Sequence, residues 1–252
     1  MNMNSRREKF SAPDADVVIL HSSDIHVSEG FTEPLHEGDG TAGLRAVLSV
    51  ARKAQVQVVI LAGDTFEHHR LSSSLLDRAA RLLESAGIPV VILPGNHDPA
   101  IEGSVFHHAA IAELPHVHVL GITHREAVLF PALGLEIWGI AHRDYNDMNP
   151  LDRVRTRRSF WQVAVAHGHY QPRPDRSTKL RPSWLIGDDE IEATGADYLA
   201  LGHWNRHARV GTGAVEAHYS GSPDYAGTVN LVHLRREGRV EVTRLPVDWS
   251  AR

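Results

Sequence analysis

Apolar residues follow two rhythms along this chain, and the changes of rhythm mark its elements. Residues 16–20, 56–61 and 89–93 are short runs rich in Val, Ile and Leu. They are too short for core helices and read as strands buried on both faces. Between them the apolar spacing lengthens to three and four. Leu44, Val47, Leu48 and Ala51 predict a helix over 41–54, and Leu75, Leu76, Ala79, Leu82 and Leu83 a second over 72–86. Strand, helix, strand, helix, strand implies a mostly parallel sheet, hence an α/β protein.

The second half changes character. Short strands are expected at 117–120, 127–130, 135–140, 162–166, 198–201, 214–219, 228–234 and 240–245, parted by turn residues such as Gly211-Thr212-Gly213 and Glu237-Gly238. One helix is expected at 150–159. Residues 1–14 are polar and read as a flexible tail, and 15–252 as a single domain, because no repeat, low-complexity tract or linker divides them. The polar loop 171–182, rich in Pro and Arg, reads as a flap or plain surface.

The breaks between rhythms hold the chemistry. The first run ends in Ser22-Ser23-Asp24-Ile25-His26, the second in Gly63-Asp64-Thr65-Phe66, and the third in Gly95-Asn96-His97-Asp98. Two later strands end in His167-Gly168-His169 and Gly202-His203-Trp204-Asn205-Arg206-His207. Ligands of parallel sheets bind beyond the carboxyl ends of the strands, where all five clusters fall. Each cluster alone has an ordinary explanation. Gly-Asp is a common turn, Asn96 or Asp98 can cap a helix, and a lone His167 suits a core. Five such endings on one rim are hard to explain that way. Carboxylates mixed with imidazoles suit manganese, iron, zinc and similar divalent ions. A bridging carboxylate can hold two ions about 3.5–4 Å apart, the spacing that clamps both oxygens of a phosphoryl transfer.

Composition narrows the field. Eighteen histidines stand against 26 Lys plus Arg, and there is no cysteine, so disulfides and thiolate metal sites are excluded. The net charge of −5 argues against a broadly basic nucleic-acid surface. No apolar run approaches eighteen residues and the N-terminus has no apolar signal-peptide core, so no membrane contact is expected and a cytoplasmic location is the default.

Taken in order, the motifs Asp24-Ile25-His26, Gly63-Asp64, Gly95-Asn96-His97-Asp98, His167 and Gly202-His203 resemble the calcineurin-like metallophosphoesterase superfamily, over about residues 16–235. Within it, His21-Ser22-Ser23-Asp24-Ile25-His26 and Tyr219-Ser220-Gly221-Ser222-Pro223 look like the nuclease subunits of SbcC–SbcD-type DNA-repair complexes. The resemblance implies a four-layer αββα sandwich, two mixed sheets flanked by helices. It also implies a metal-dependent phosphoester hydrolase, a phosphodiesterase or nuclease in which a hydroxide between two divalent ions attacks phosphorus in line. Manganese comes first among those ions, with iron, zinc, magnesium and nickel as alternatives. Asp24 and His26 would bind the first ion, Asp64 would bridge, and Asn96, His167 and His203 would bind the second. His97 would protonate or stabilise the leaving oxygen, and Asp98 would orient His97. The implied partners are a phosphoester substrate, DNA among the candidates, with a homodimer and an ATPase subunit left open. A small-molecule phosphodiesterase and a metal-poor scaffold are the competing readings.

One position departs from the pattern. Where the superfamily closes its last motif with a histidine, this chain has Asn205, and the next histidine is His207. Asn205 binding through its amide oxygen, or a weakened first site, is expected over a rearranged loop delivering His207. His68 and Arg70 read either as metal or substrate contacts or as a solvated helix start. Arg153, Arg155, Arg157 and Arg158 read as a solvated helix face before a nucleic-acid stripe. His142-Arg143-Asp144-Tyr145 ends a strand near the rim, His169 is placed behind the ligands, and Trp204 reads as exposed.

Overall fold

The computed structural model describes residues 7, 9–30, 36–125, 127–178 and 182–250. The chain opens with β1 (Val17–Ser22), α1 (Ala42–Lys53), β2 (Val58–Ala62), α2 (Ser73–Ala86) and β3 (Val90–Leu93). Helix α2 starts on Ser72, whose hydroxyl accepts from the Leu75 amide at 3.2 Å, and stops at Gly87, left-handed at φ 63°. Then come β4 (Val117–Val119), β5 (Ala127–Phe130), β6 (Leu135–Gly139), β7 (Trp161–His167), the two-residue β8 (His169–Tyr170) and β9 (Leu185–Ile186), and α3 (Asp188–Thr194). The chain closes with β10 (Tyr198–Gly202), β11 (Ala208–Val210), β12 (Glu216–Tyr219), β13 (Thr228–Arg235) and β14 (Arg239–Pro246).

Two six-stranded mixed sheets result, ordered β14-β13-β1-β2-β3-β4 and β11-β12-β10-β7-β6-β5. In the first, β1 to β4 run parallel and the β13–β14 hairpin adds antiparallel strands beside β1. In the second, β12, β10, β7 and β6 run parallel between antiparallel edges β11 and β5. The inner faces meet through Ile19, Val58, Ile60, Val91, Ile137, Val163, Val165 and Ala200. The alternate residues of the first sheet, among them Leu20, Val59, Leu61 and Ile92, pack against α1 and α2. Burial on both faces explains the unbroken apolar runs. The outer face of the second sheet has a thinner cover, in which Ile186 and Ile191 sit on Ala164, Leu199 and Leu201.

The helix expected at 150–159 is absent; that stretch is extended and irregular. Two of its arginines are drawn to buried acids instead of sharing a solvated face. Arg157 places Nη1 2.7 Å from Asp197 Oδ2, and Arg158 places Nε 3.3 Å from Glu136 Oε2. Both acids are fully buried, so a helix that turned these arginines outward would strand two carboxylates. Arg7, in the segment read as a tail, also reaches Asp197, with Nη2 at 2.7 Å. The described part of the polar loop is tied down: Arg176 Nη2 donates to the Leu185 carbonyl at 2.8 Å and pairs with Glu190 at 2.9 Å. Residues 179–181 of that loop lie outside the described residues.

Candidate metal centre

The ends of β1, β2, β3, β7 and β10 converge where the two sheets touch. The register sets Gly202 beside His167 across β10 and β7, and Ala62 beside Leu93 across β2 and β3. Glycines let the sheets approach closely here. A Cβ on Gly63 would overlap the His167 ring, and one on Gly202 would overlap the Ala62 carbonyl. The glycines of the sequence motifs are therefore points of contact between sheets as well as turns.

The ligand positions themselves are strained. Asp24, His26 and Asp64 have φ of 53°, 53° and 52°, and His203 has 101°. Left-handed backbone costs a non-glycine residue roughly 1–3 kcal/mol and persists only where its surroundings impose it. Here the loops brace one another. The Asp24 amide donates to the Gly63 carbonyl at 3.0 Å, His26 to Asp64 at 3.1 Å and Val27 to Thr65 at 2.9 Å, so the first two motif loops continue the sheet as irregular strands. The His203 amide donates to both Asp24 oxygens, at 3.2 and 3.0 Å. The His97 amide donates to Asp64 Oδ1 at 2.9 Å.

Two groups of donor atoms form around one shared residue. Asp24, His26 and Asp64 make one; Asp64, His167 and His203 make the other, the atoms of each lying within 4.8 Å of one another. Asn96 joins the second, with Oδ1 3.0 Å from His167 Nε2. His167 Nδ1 donates to the Ala62 carbonyl at 2.9 Å, which fixes the tautomer and turns Nε2 toward Asp64 Oδ2, 3.1 Å away.

A third group, His26, Glu67 and His97, was not anticipated. Glu67 Oε2 lies 2.8 Å from His26 Nδ1, and Oε1 lies 3.4 Å from His97 Nδ1. His97 Nδ1 also donates to the Glu67 carbonyl at 3.0 Å, leaving Nε2 as its free face. Glu67 therefore has the orienting task expected of Asp98. Asp98 is buried and turned the other way, its oxygens accepting from the Phe66 amide at 3.0 Å and the Gly95 amide at 2.7 Å. It shapes the turn that carries Asn96 and His97. The sequence signal for Glu67 was its place three residues after Asp64, at the end of the second motif.

The remaining expected residues are also located. Asn205 and His207 are exposed. The Asn205 carbonyl accepts from the Ser222 amide at 3.2 Å, and His207 stands near Arg244. His207 joins none of the three donor groups. His68 and Arg70 are exposed, with the Arg70 amide donating to His68 Nδ1 at 3.2 Å. Trp204, expected to be exposed, is half-buried: it stacks on Tyr219 at 4.3 Å and donates to His169 Nδ1 at 3.2 Å. His169 thereby supports the loop carrying His203. The Tyr219-Ser220-Gly221-Ser222 stretch braces the same region. The Tyr219 hydroxyl donates to the Gly168 carbonyl at 2.7 Å, and Ser220 Oγ lies 2.9 Å from Ser23 Oγ.

The electrostatics suit cations. Burial, and then the neighbouring charge of Asp64, push the Asp24 and Asp98 carboxyls up. Burial acts against Asp64 too, but the His167, His26 and His97 imidazoles hold its carboxyl well below the usual range. The bond to Glu67 raises His97 to about 9, while burial, followed by the charge of His167, lowers His203 to about 4. Buried carboxylates this close need compensating positive charge, and an O/N donor set of this kind suits divalent ions.

Residues 17–206 match the family model described as calcineurin-like phosphoesterase. The SbcD subunit of the SbcCD nuclease of Escherichia coli K12 is 27% identical over 256 residues, covering 86% of this chain and 64% of that protein. Its namesake in Bacillus subtilis 168 is 23% identical, covering 86% and 66%. The DNA double-strand break repair protein Mre11 of Methanopyrus kandleri is 23% identical, covering 92% and 57%. This chain thus spans about two thirds or less of the length of these relatives. The crystal structure of TT1561 of Thermus thermophilus shares the fold, with a TM-score of 0.58 at 14% identity over 90% of this chain and 98% of that one.

Proposed function

The chain belongs to the calcineurin-like phosphoesterase family, and we propose that it is a hydrolase of phosphoester bonds that cleaves phosphodiesters in nucleic acid with two divalent ions, manganese the first of them. The observation that carries this reading is the sharing of the buried Asp64 between two donor groups. Asp24, His26 and Asp64 would hold one ion; Asp64, Asn96, His167 and His203 would hold the other. Bound ions supply Lewis acidity: they neutralise phosphate charge and lower the pKa of water in the site.

The chain's own residues supply the rest. His97, carried on the Gly95 turn and gripped by Glu67, offers a protonated Nε2 to the departing oxygen, a general-acid role. Asp98 sets the turn that aims it. Asn205 is exposed and His207 joins no donor group, which supports a first ion more weakly held than the second. Relatives named as nuclease and break-repair proteins support nucleic acid as substrate. Two of them are named as subunits of a nuclease, which supports action beside a second subunit.

The test is hydrolysis of bis(p-nitrophenyl) phosphate against p-nitrophenyl phosphate, with manganese and then with a chelator, followed by single-stranded DNA. Diester cleavage that needs manganese, together with DNA cleavage, is the expected result. Diester cleavage without action on DNA would leave a small-molecule phosphodiesterase. Loss of both activities with no bound metal would leave a scaffold.

A further inference from the structure

A cavity of about 620 Å³ opens beside β6, lined by the end of that strand, the loop that follows it and part of 152–158. It takes up two features the metal centre does not use, Arg143 and Asp144 of the strand end 142–145 and the arginine-rich stretch. Five arginines face it: Arg125, Arg143, Arg153, Arg155 and Arg158. Arg158 is paired with Glu136, and Arg155 has a partner of its own. Arg125, Arg143 and Arg153 are exposed, and among the described residues no carboxylate is in ion-pair range of them. Three aspartates also line the cavity, but two are engaged. Asp144 accepts from the Asn146 amide at 2.8 Å, and Asp147 from the Trp184 amide at 2.7 Å. In a chain of net charge −5, this hollow is lined by five arginines against three aspartates, so its lining carries more positive than negative charge.

The cavity adjoins the metal centre. Ala141 and Arg143 line it, and His142 between them is buried on the other side, its Nε2 donating to the His167 carbonyl at 2.9 Å. The His142 and His167 rings lie 5.7 Å apart. Two residues of chain span on the order of 7 Å at most, so the hollow begins within that reach of the rim. The shared wall is fixed in place. Trp184 donates its indole N–H to the Asn146 carbonyl at 2.9 Å while its ring lies 5.6 Å from the ring of His203.

Guanidinium forks match phosphate oxygens. Ile140 and the exposed Val154 give the same cavity an apolar side, and the Trp138 indole N–H beneath it is buried with no hydrogen-bond partner. The volume is that of a small-molecule site, room for a nucleotide but far too little for a duplex. We propose that the cavity is a subsite for the nucleotide unit next to the scissile phosphodiester, with its phosphate held by Arg143, Arg153 and Arg125 and its sugar and base against Ile140 and Val154. The subsite rests on the nucleic-acid reading above and gives it a one-nucleotide footprint beside the metals.

Binding of thymidine 5′-monophosphate, thymidine and inorganic phosphate to the full chain in chelator, by calorimetry, tests the subsite independently of the metals. The nucleotide should bind at least about tenfold tighter than either fragment. The Arg143→Gln/Arg153→Gln variant, with its fold checked by circular dichroism, should bring the nucleotide to within about twofold of thymidine. Should that variant misfold, Arg125→Gln alone should reduce the advantage severalfold. Equal binding of nucleotide and thymidine by the unaltered protein, phosphate binding as tightly as the nucleotide, or an advantage that survives the substitutions would each overturn the subsite. Failure of the catalytic reading would appear separately, as absence of manganese-dependent diester hydrolysis in the unaltered protein.

Discussion

His97 illustrates how much of this site is decided by single bonds. Its Nδ1 is committed to Glu67, through the carbonyl at 3.0 Å and the carboxylate at 3.4 Å, so one nitrogen alone faces outward. His97→Ala should keep its metals, because His97 lends the ligand shell only its backbone, and lose about 10²–10⁴ of turnover. Metal analysis beside kcat checks this, and retained activity would remove His97 from the leaving-group role. Glu67→Gln should be milder, lowering kcat by about 10–100-fold, as losses of orienting partners do. It should also lower the pKa of the alkaline limb of the pH–rate profile, where the general acid loses its proton, because the raised basicity of His97 comes first from Glu67. An unmoved limb would mean that Glu67 does not set His97. Asp24, His26, Asp64, Asn96, His97, His167 and His203 were legible because each sits in a short motif at a strand end. Glu67 was passed over although it is in the same motif, because its partners come from the first and third motifs and local spacing does not reveal them.

At the scale of elements, the parallel strands were readable because burial on both faces leaves unbroken apolar runs, and α1 and α2 because one face of each is apolar. The stretch 150–159 was not readable. Arg157 and Arg158 look like a solvated charge run, but Asp197 and Glu136, which hold them, lie about forty and twenty-two residues away in sequence. Arg157→Ala should therefore cost about 3–5 kcal/mol, the range for breaking a buried pair, with Arg7 reducing the loss by remaining on Asp197. Arg153→Ala, with no such partner, should stay within about 0.5 kcal/mol of the parent. Guanidinium unfolding midpoints decide it; equal midpoints would show that the Asp197 pair does not stabilise the fold.

For the whole molecule, the metal centre is a joint between two sheets. Ligands from both should make bound ions stabilise the complete fold, by about 2.7 kcal/mol at a hundredfold excess over Kd. Manganese should raise the melting temperature in two phases, the second reflecting the weaker first site. Asp64→Asn should abolish the rise, and a rise that persists in that variant would refute the shared-ligand arrangement. A second prediction concerns acid. His21 is buried beside the Tyr198 hydroxyl at 2.8 Å, and burial, followed by the charge of His218, lowers it from 6.5 to about 3. A histidine depressed in the fold stays neutral there while the unfolded chain takes up its proton, so stability falls as pH drops through 6.5 toward 3. Between pH 7 and 5 this group should cost roughly 2 kcal/mol, a loss that His21→Gln removes. Equal losses in both proteins, from unfolding midpoints at the two pH values, would rule it out.

The succession of strands along the chain, the rim expected at their ends and the donor types around it were determined by sequence alone, because periodicity and motif order are local properties. The same holds for the departure at Asn205, whose exposed position only the folded loop could show. Tertiary structure decided the rest: Glu67 rather than Asp98 on His97, arginines divided between buried acids and an open cavity, and a stacked Trp204. Each of those depends on which distant group arrives opposite, and that is fixed only when the two sheets close on one another.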